Sequence, residues 1–140
     1  MYNMAAKDRK LADAICEAIA EVDDSLILLG LSGSEMLKAA KAKGLRCASE
    51  VFADRAYEPD GSLTPRALEG SVITDEEEAI KRVLQMVKSG TVVARNGQVI
   101  PIEADSICLH GDGVKAVEFA RRIRQALTDS GVEIVSLAQL

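Results

Sequence analysis

The chain of 140 residues contains no tryptophan, one histidine, three prolines and three cysteines, and its aromatics amount to 3%. Without tryptophan and with so few aromatic rings, no stacking platform for nucleobases is visible. Positive charge is also short. Seventeen Lys and Arg against 22 Asp and Glu give a net charge of −5 and a pI near 4.9. An acidic surface repels phosphate backbones, so nucleic acid is not an expected partner. No apolar run approaches the ~18 residues that span a bilayer, so no membrane partner is expected. The opening "MYNMAAKDRK" has no apolar stretch behind its charges and is not a secretory signal. Cys16, Cys47 and Cys108 are odd in number and widely spaced, with no CxxC. That pattern argues against a zinc site and a disulfide framework, and points to a reducing cytoplasm. A GxxxxGK[ST] phosphate loop is missing too, so the sequence gives no support for nucleotide contact.

What remains is 48% hydrophobic with a mean hydropathy of +0.07, enough for one globular domain with a buried core. Residues 8–22 carry Leu11, Ile15, Ala18, Ile19 and Val22 at helical spacing. The run "SLILLGL" (25–31) reads as a buried strand. Ser34 is placed to cap a helix that Gly44 ends, and "LRCASEVFA" (45–53) reads as the next strand. This β–α–β order predicts a parallel sheet covered by helices. A long irregular stretch follows, 54–71, of the kind usually kept for function. Val72 and Ile73 are a short strand remnant. Thr74 and Glu77 form a capping-box pattern before a helix that Gly90 stops. "TVVARNGQVIPIEA" is expected to be a hairpin with a type I′ turn at Asn96-Gly97, Pro101 lying on an edge. "SICLHGD" returns to a strand. A final helix is predicted from about Val114 to Ser130, with Val117, Ala120, Ile123 and Leu127 inward. The tail "VEIVSLAQL" is a candidate last strand.

In parallel α/β folds, ligands gather at the carboxyl ends of strands. Two such ends are polar here. One carries Glu50, Asp54, Arg55 and Tyr57; the other carries Cys108, His110, Gly111 and Asp112. Alternation puts Glu50 on the face of Phe52. A carboxylate inside a strand calls for a partner, either a ligand or a structural arginine such as Arg46 or Arg55. His110 is a base, a ligand or a turn histidine. Asp112 is either its partner or a helix cap. Cys108 lies between apolar residues and fits an inert core thiol.

Taken together, "EVFADRAYEPDGSLTPR", "GSVI" and "ADSICLHGD" resemble the C-terminal half of the LamB/YcsF family of lactam utilization proteins, in order and along nearly the whole chain. The resemblance implies an α/β fold, part of a distorted TIM-like (β/α) barrel similar to glycoside hydrolase and deacetylase barrels. The 91–104 hairpin would be an insertion, and 1–140 a single domain matching the C-terminal half of that barrel. It implies ATP-dependent opening of 5-oxo-L-proline, or a related lactam, to L-glutamate in company with subunits B and C of a 5-oxoprolinase. Carried onto this sequence, the catalytic candidates are Glu50, Asp54, His110 and Asp112. The substrate-binding candidates are Arg55, Tyr57, Arg66, Cys108 and Gly111. The acid/base pair is expected to be His110 with Asp112 or Glu50 with Asp54. ATP is expected at the level of the complex, and a divalent metal would find most of its ligands in motifs absent here. The family's "DLNxDxGE", "GFHAGD" and "GAHP" motifs are missing, and of "KPHGALYN" only the end survives, in "YNMAAKD" (2–8). The chain is therefore expected to associate with itself or to need the missing half. Two other classes remain open at this point: a non-catalytic binding or assembly module, and, on fold analogy, a carbohydrate deacetylase or hydrolase.

Overall fold

The computed structural model describes residues 1–111 and 115–140. A short helix α1 (Tyr2–Ala5) leads into α2 (Arg9–Val22), β1 (Ile27–Leu31), α3 (Glu35–Lys43) and β2 (Arg46–Phe52). After the irregular segment come α4 (Glu76–Ser89), the hairpin β3 (Thr91–Val93) and β4 (Val99–Pro101), β5 (Ser106–Cys108) and α5 (Ala116–Asp129). β1, β2 and β5 form one parallel sheet with β2 in the middle. The register sets Leu31 beside Glu50, and Phe52 beside Cys108. Parallel order thus brings the C-terminal ends of all three strands to one edge of the molecule, where the polar residues lie. This α/β arrangement is consistent with part of a TIM-like barrel.

Two apolar clusters cover the sheet. Cys16 of α2 and Met36, Ala39 and Ala40 of α3 pack together with Leu28 and Cys47. Val83 and Met86 of α4, Ile123 and Leu127 of α5, and Val92 and Ile100 of the hairpin pack with Val51, Phe52 and Tyr57. The predicted helix over 8–22 and the strands over 25–31 and 45–53 are present with ends moved by one or two residues. Asp8 caps α2, its carboxylate accepting from the Lys10 and Leu11 amides.

Local details differ from the sequence reading, each for a physical reason. Ser34 holds the N-cap position of α3 but makes no capping bond, and its buried hydroxyl has no partner among the described residues. Asp75, not Thr74, caps α4 by accepting from Glu78 N at 2.9 Å, since an ionised carboxylate is the stronger acceptor at a helix start. The hairpin turn is not type I′: only Gly97 has a positive φ (86°), and Ala94 accepts from Gly97 N while donating to Gln98 O. That is a three-residue loop with glycine in the left-handed position. Val117 points outward at 67% exposure, and Phe119 takes the inward place in the first turn of α5. The predicted start of that helix at Val114 lies outside the described residues. The tail forms no strand; it ends in a 3₁₀ turn, Leu137–Gln139. A strand needs a partner to pair with, and Ile134 and Val135 remain 39% and 40% exposed.

Candidate functional site

Phe52, the last residue of β2, divides the site into two limbs. Its ring sits edge-on to Tyr2 with centroids 6.1 Å apart, and 6.1 Å from the His110 ring at a tilt of 32°. On the first limb, Glu50 lies on the Phe52 side of the strand, as alternation predicts. Its carboxylate accepts from the Tyr2 hydroxyl at 2.5 Å. The partner is therefore neither Arg46, which donates to the Ala138 and Leu140 carbonyls, nor Arg55. Burial first, and then the Glu50 carboxylate, push the Tyr2 phenol well above its ordinary range. Cys108 adjoins the same carboxylate. Burial, followed by the charges of Glu50 and Asp54, raises its thiol to about 11, so it is a thiol rather than a nucleophilic thiolate at neutral pH.

On the second limb, Asp54 follows β2 and His110 follows β5. Asp54 Oδ2 and His110 Nδ1 are 2.6 Å apart, and His110 Nε2 lies 2.9 Å from Arg66 Nη2. A guanidinium only donates, so Nε2 is the acceptor and Nδ1 carries the proton donated to Asp54. This donor pattern assigns His110 as the neutral Nδ1–H tautomer, its Nε2 lone pair covered by Arg66. The second Asp54 oxygen, Oδ1, is buried and has no partner among the described residues.

Two arginines expected at the substrate separate in role. Arg66 is exposed and reaches His110. Arg55 is 4% exposed and ties the irregular segment together, donating from Nε to Ser71 O at 3.1 Å and from Nη2 to Thr64 O at 2.6 Å. Its guanidinium titrates lower than usual because of burial and the nearby charge of Arg66. Tyr57 is fully buried. Its hydroxyl accepts from Phe52 N at 2.8 Å and is pushed up to about 12 by burial; this is a bond within the framework, so the substrate role expected from the sequence is not supported by its geometry. Gly111 is exposed, and a Cβ there would meet nothing within 4 Å among the described residues. Asp112 lies outside the described residues. His110 and Asp54 pair with each other, a combination that neither acid/base pairing expected from the sequence contains. Sequence reasoning also missed Tyr2, although the family string ending in "YN" contains it.

For a divalent metal, the described residues offer no group of three His, Cys, Asp or Glu side chains suited to one ion. Asp54 and His110 are engaged with each other, and the Arg66 charge beside them opposes a cation. These residues do not fit a metal by themselves.

A carboxylate–imidazole–guanidinium relay at the carboxyl ends of a parallel sheet places the chain among α/β proteins with a strand-end site. The LamB/YcsF family model matches residues 1–140, and the chain belongs to the LamB/YcsF family. It is 57% identical over all 140 residues to the A-type subunit of 5-oxoprolinase from Clostridium beijerinckii, covering 55% of that protein. It is 54% identical over 137 residues to the corresponding 5-oxoprolinase protein of Campylobacter jejuni subsp. jejuni, covering 98% of this chain and 54% of that one. The crystal structure of a lactam utilization protein from Thermus thermophilus superposes with a TM-score of 0.84 at 42% identity, over 95% of this chain and 53% of that one. The chain thus spans about half the length of the curated relatives it matches.

Proposed function

We propose that this chain contributes to the A-type component of a 5-oxoprolinase, which opens the lactam ring of 5-oxo-L-proline to give L-glutamate, together with subunits B and C and ATP in the cytoplasm. The observation that carries this reading is the Asp54–His110–Arg66 relay in a chain 57% identical to a protein of that name. A lactam amide is a poor electrophile, and ATP supplies the phosphoryl group that makes the amide oxygen a leaving group. No residue here is assigned to the nucleotide, which this reading places elsewhere in the complex. Water then attacks the former carbonyl carbon, the C–N bond breaks as the nitrogen takes a proton, and a second water displaces phosphate from the acyl phosphate that is left, giving the carboxylate. In this chain His110 Nε2 is the atom that takes the proton from water, once Arg66 moves off it. Asp54 holds the imidazole in the required tautomer and balances the imidazolium that forms. Glu50, held by Tyr2, shapes the opposite wall across Phe52.

His110→Ala and Asp54→Ala, each tested in the assembled complex, are expected to lower turnover by roughly 100-fold or more, the typical worth of a positioned base. Unchanged turnover in both would contradict these roles. The half-length match favours one further reading, a binding or assembly module that leaves chemistry to other chains. In that case both substitutions spare turnover, whereas deleting the chain abolishes it. Nothing specific in the site favours a carbohydrate deacetylase.

A further inference from the structure

Beside Arg66, the partner of His110, lies a cavity of about 300 Å³, at the lower end of the range for small-molecule sites, ~300–1,000 Å³. It opens between α1 and residues 62–66, beside Leu31 at the end of β1. Lys7, Arg55, Arg66 and Asn3 line it, and among the described lining residues there is no carboxylate.

These cations are poorly neutralised within the molecule. Both hydrogen bonds described for buried Arg55 go to neutral carbonyls, and that of Arg66 goes to a neutral imidazole. Arg55 feels the charge of Asp54 without a described bond to it, and Arg66 opposes that charge; a buried guanidinium with no carboxylate bonded to it is costly. Lys7 meets Asp60 at 3.1 Å, but both are more than 60% exposed, and such a pair is weak and readily exchanged. Ser62 donates to Asp60 Oδ1 through both its amide and its hydroxyl, which leaves Lys7 on the other oxygen, Oδ2. A small recess of about 70 Å³ adjoins the cavity, sharing Ala6, Lys7, Leu31 and Ser62 with it. Its wall includes the Asp60 carboxylate that pairs with Lys7, and Ser34, 5% exposed, whose hydroxyl has no partner among the described residues.

We infer that this cavity is an oxyanion subsite, which takes the carboxylate of a small organic acid or a phosphate group between Lys7, Arg55 and Arg66. Guanidinium forks match planar oxyanions, and the ammonium of Lys7 adds a point charge at the rim. Arg66 connects this subsite to His110, so an anion that draws Arg66 inward uncovers the Nε2 lone pair. If the acid is 5-oxoproline, its carboxylate sits in the cavity and its ring faces His110; that identification rests on the proposed function, while the subsite does not.

The test is an NMR titration of the ¹⁵N-labelled 140-residue chain at low salt. The probes are 5-oxoproline, uncharged 2-pyrrolidinone and inorganic phosphate. An anion is expected to shift the Lys7 and Asn3 amides and the His110 ring nitrogens, with affinity falling as salt rises. A response to 5-oxoproline alone assigns a carboxylate, and a response to phosphate alone assigns a phosphoryl group; either supports the subsite. Arg66→Gln is expected to weaken binding by about tenfold or more, the worth of a charge-assisted bond. Lys7→Gln, at an exposed position that spares the fold, is expected to weaken it by about threefold or more. The inference is overturned if neither anion moves these signals, if 2-pyrrolidinone binds equally well, or if both variants bind as the parent does. Turnover is not read, so failure of the lactam-opening reading leaves this result standing.

Discussion

Tyr2 and Glu50 bind across 48 residues of sequence, so α1 is pinned to the middle of the sheet by one hydrogen bond and one ring contact. Tyr2→Phe keeps the contact with Phe52 and deletes the donor. It is expected to cost about 1–2 kcal/mol, because a part-buried carboxylate loses its partner; urea denaturation measures this. Cys108 offers a check by pH. Its thiol ionises near 11 in the fold against 9.0 ordinarily, so the native state disfavours the thiolate. The stability tied to this group is complete below pH 9 and is lost as pH climbs through 11. Alkylation of Cys108 in the native chain is expected to be slow at about pH 8 and to accelerate only towards about pH 11. Rapid labelling at the lower pH, with the fold intact by circular dichroism, would show that the thiol is not shielded as described.

The irregular segment 54–71 behaves as an element because Arg55 organises it. One guanidinium bonds two carbonyls, and backbone bridges join Arg55 to Val72 and Tyr57 to Leu63. Arg55→Met leaves the Thr64 carbonyl without its described donor, while Ser71 O keeps the Ala56 amide, and is expected to lower stability by about 1–3 kcal/mol. Asp75→Ala, which removes only the cap of α4, is expected to cost about 1 kcal/mol; parallel thermal melts rank the two. The same residues show what the sequence makes legible. Helical stripes and strand runs are periodic, so α2, β1, β2 and α4 are readable with small shifts at their ends. The Glu50 side of β2 is readable from alternation. The partners are not: Tyr2 for Glu50, Asp54 for His110 and carbonyls for Arg55 are all chosen by chain crossings that no local pattern encodes. The type I′ expectation fails at Asn96 because a dipeptide does not fix the loop length. The tail reads as a strand by composition, yet composition supplies no neighbour to pair with.

At the scale of the whole molecule, the described residues form a parallel sheet of three strands, with β1 and β5 at its edges, in a chain about half the length of its relatives. An apolar groove of about 460 Å³ runs between β5, α5 and the tail, lined by Ile107, Ile123, Leu127 and Ile134 among others. Unpaired edges and open apolar surface favour association. Among the described residues, no helix is long and apolar enough to cross a membrane. The half of the relatives that this chain does not match is the expected cover. Light scattering of the isolated chain is expected to show self-association that a separately supplied N-terminal half of a relative reverses. A monodisperse, fully cooperative monomer indifferent to that half would argue against it. The most direct measurement is conversion of 5-oxoproline to glutamate with ATP. The chain would be combined with subunits B and C, with the N-terminal half present or absent, and His110→Ala run alongside. Turnover that requires this chain and falls at least about 100-fold in His110→Ala is the expected result. Turnover that persists without the chain, or is untouched by the substitution, would contradict a site built on Asp54, His110 and Arg66.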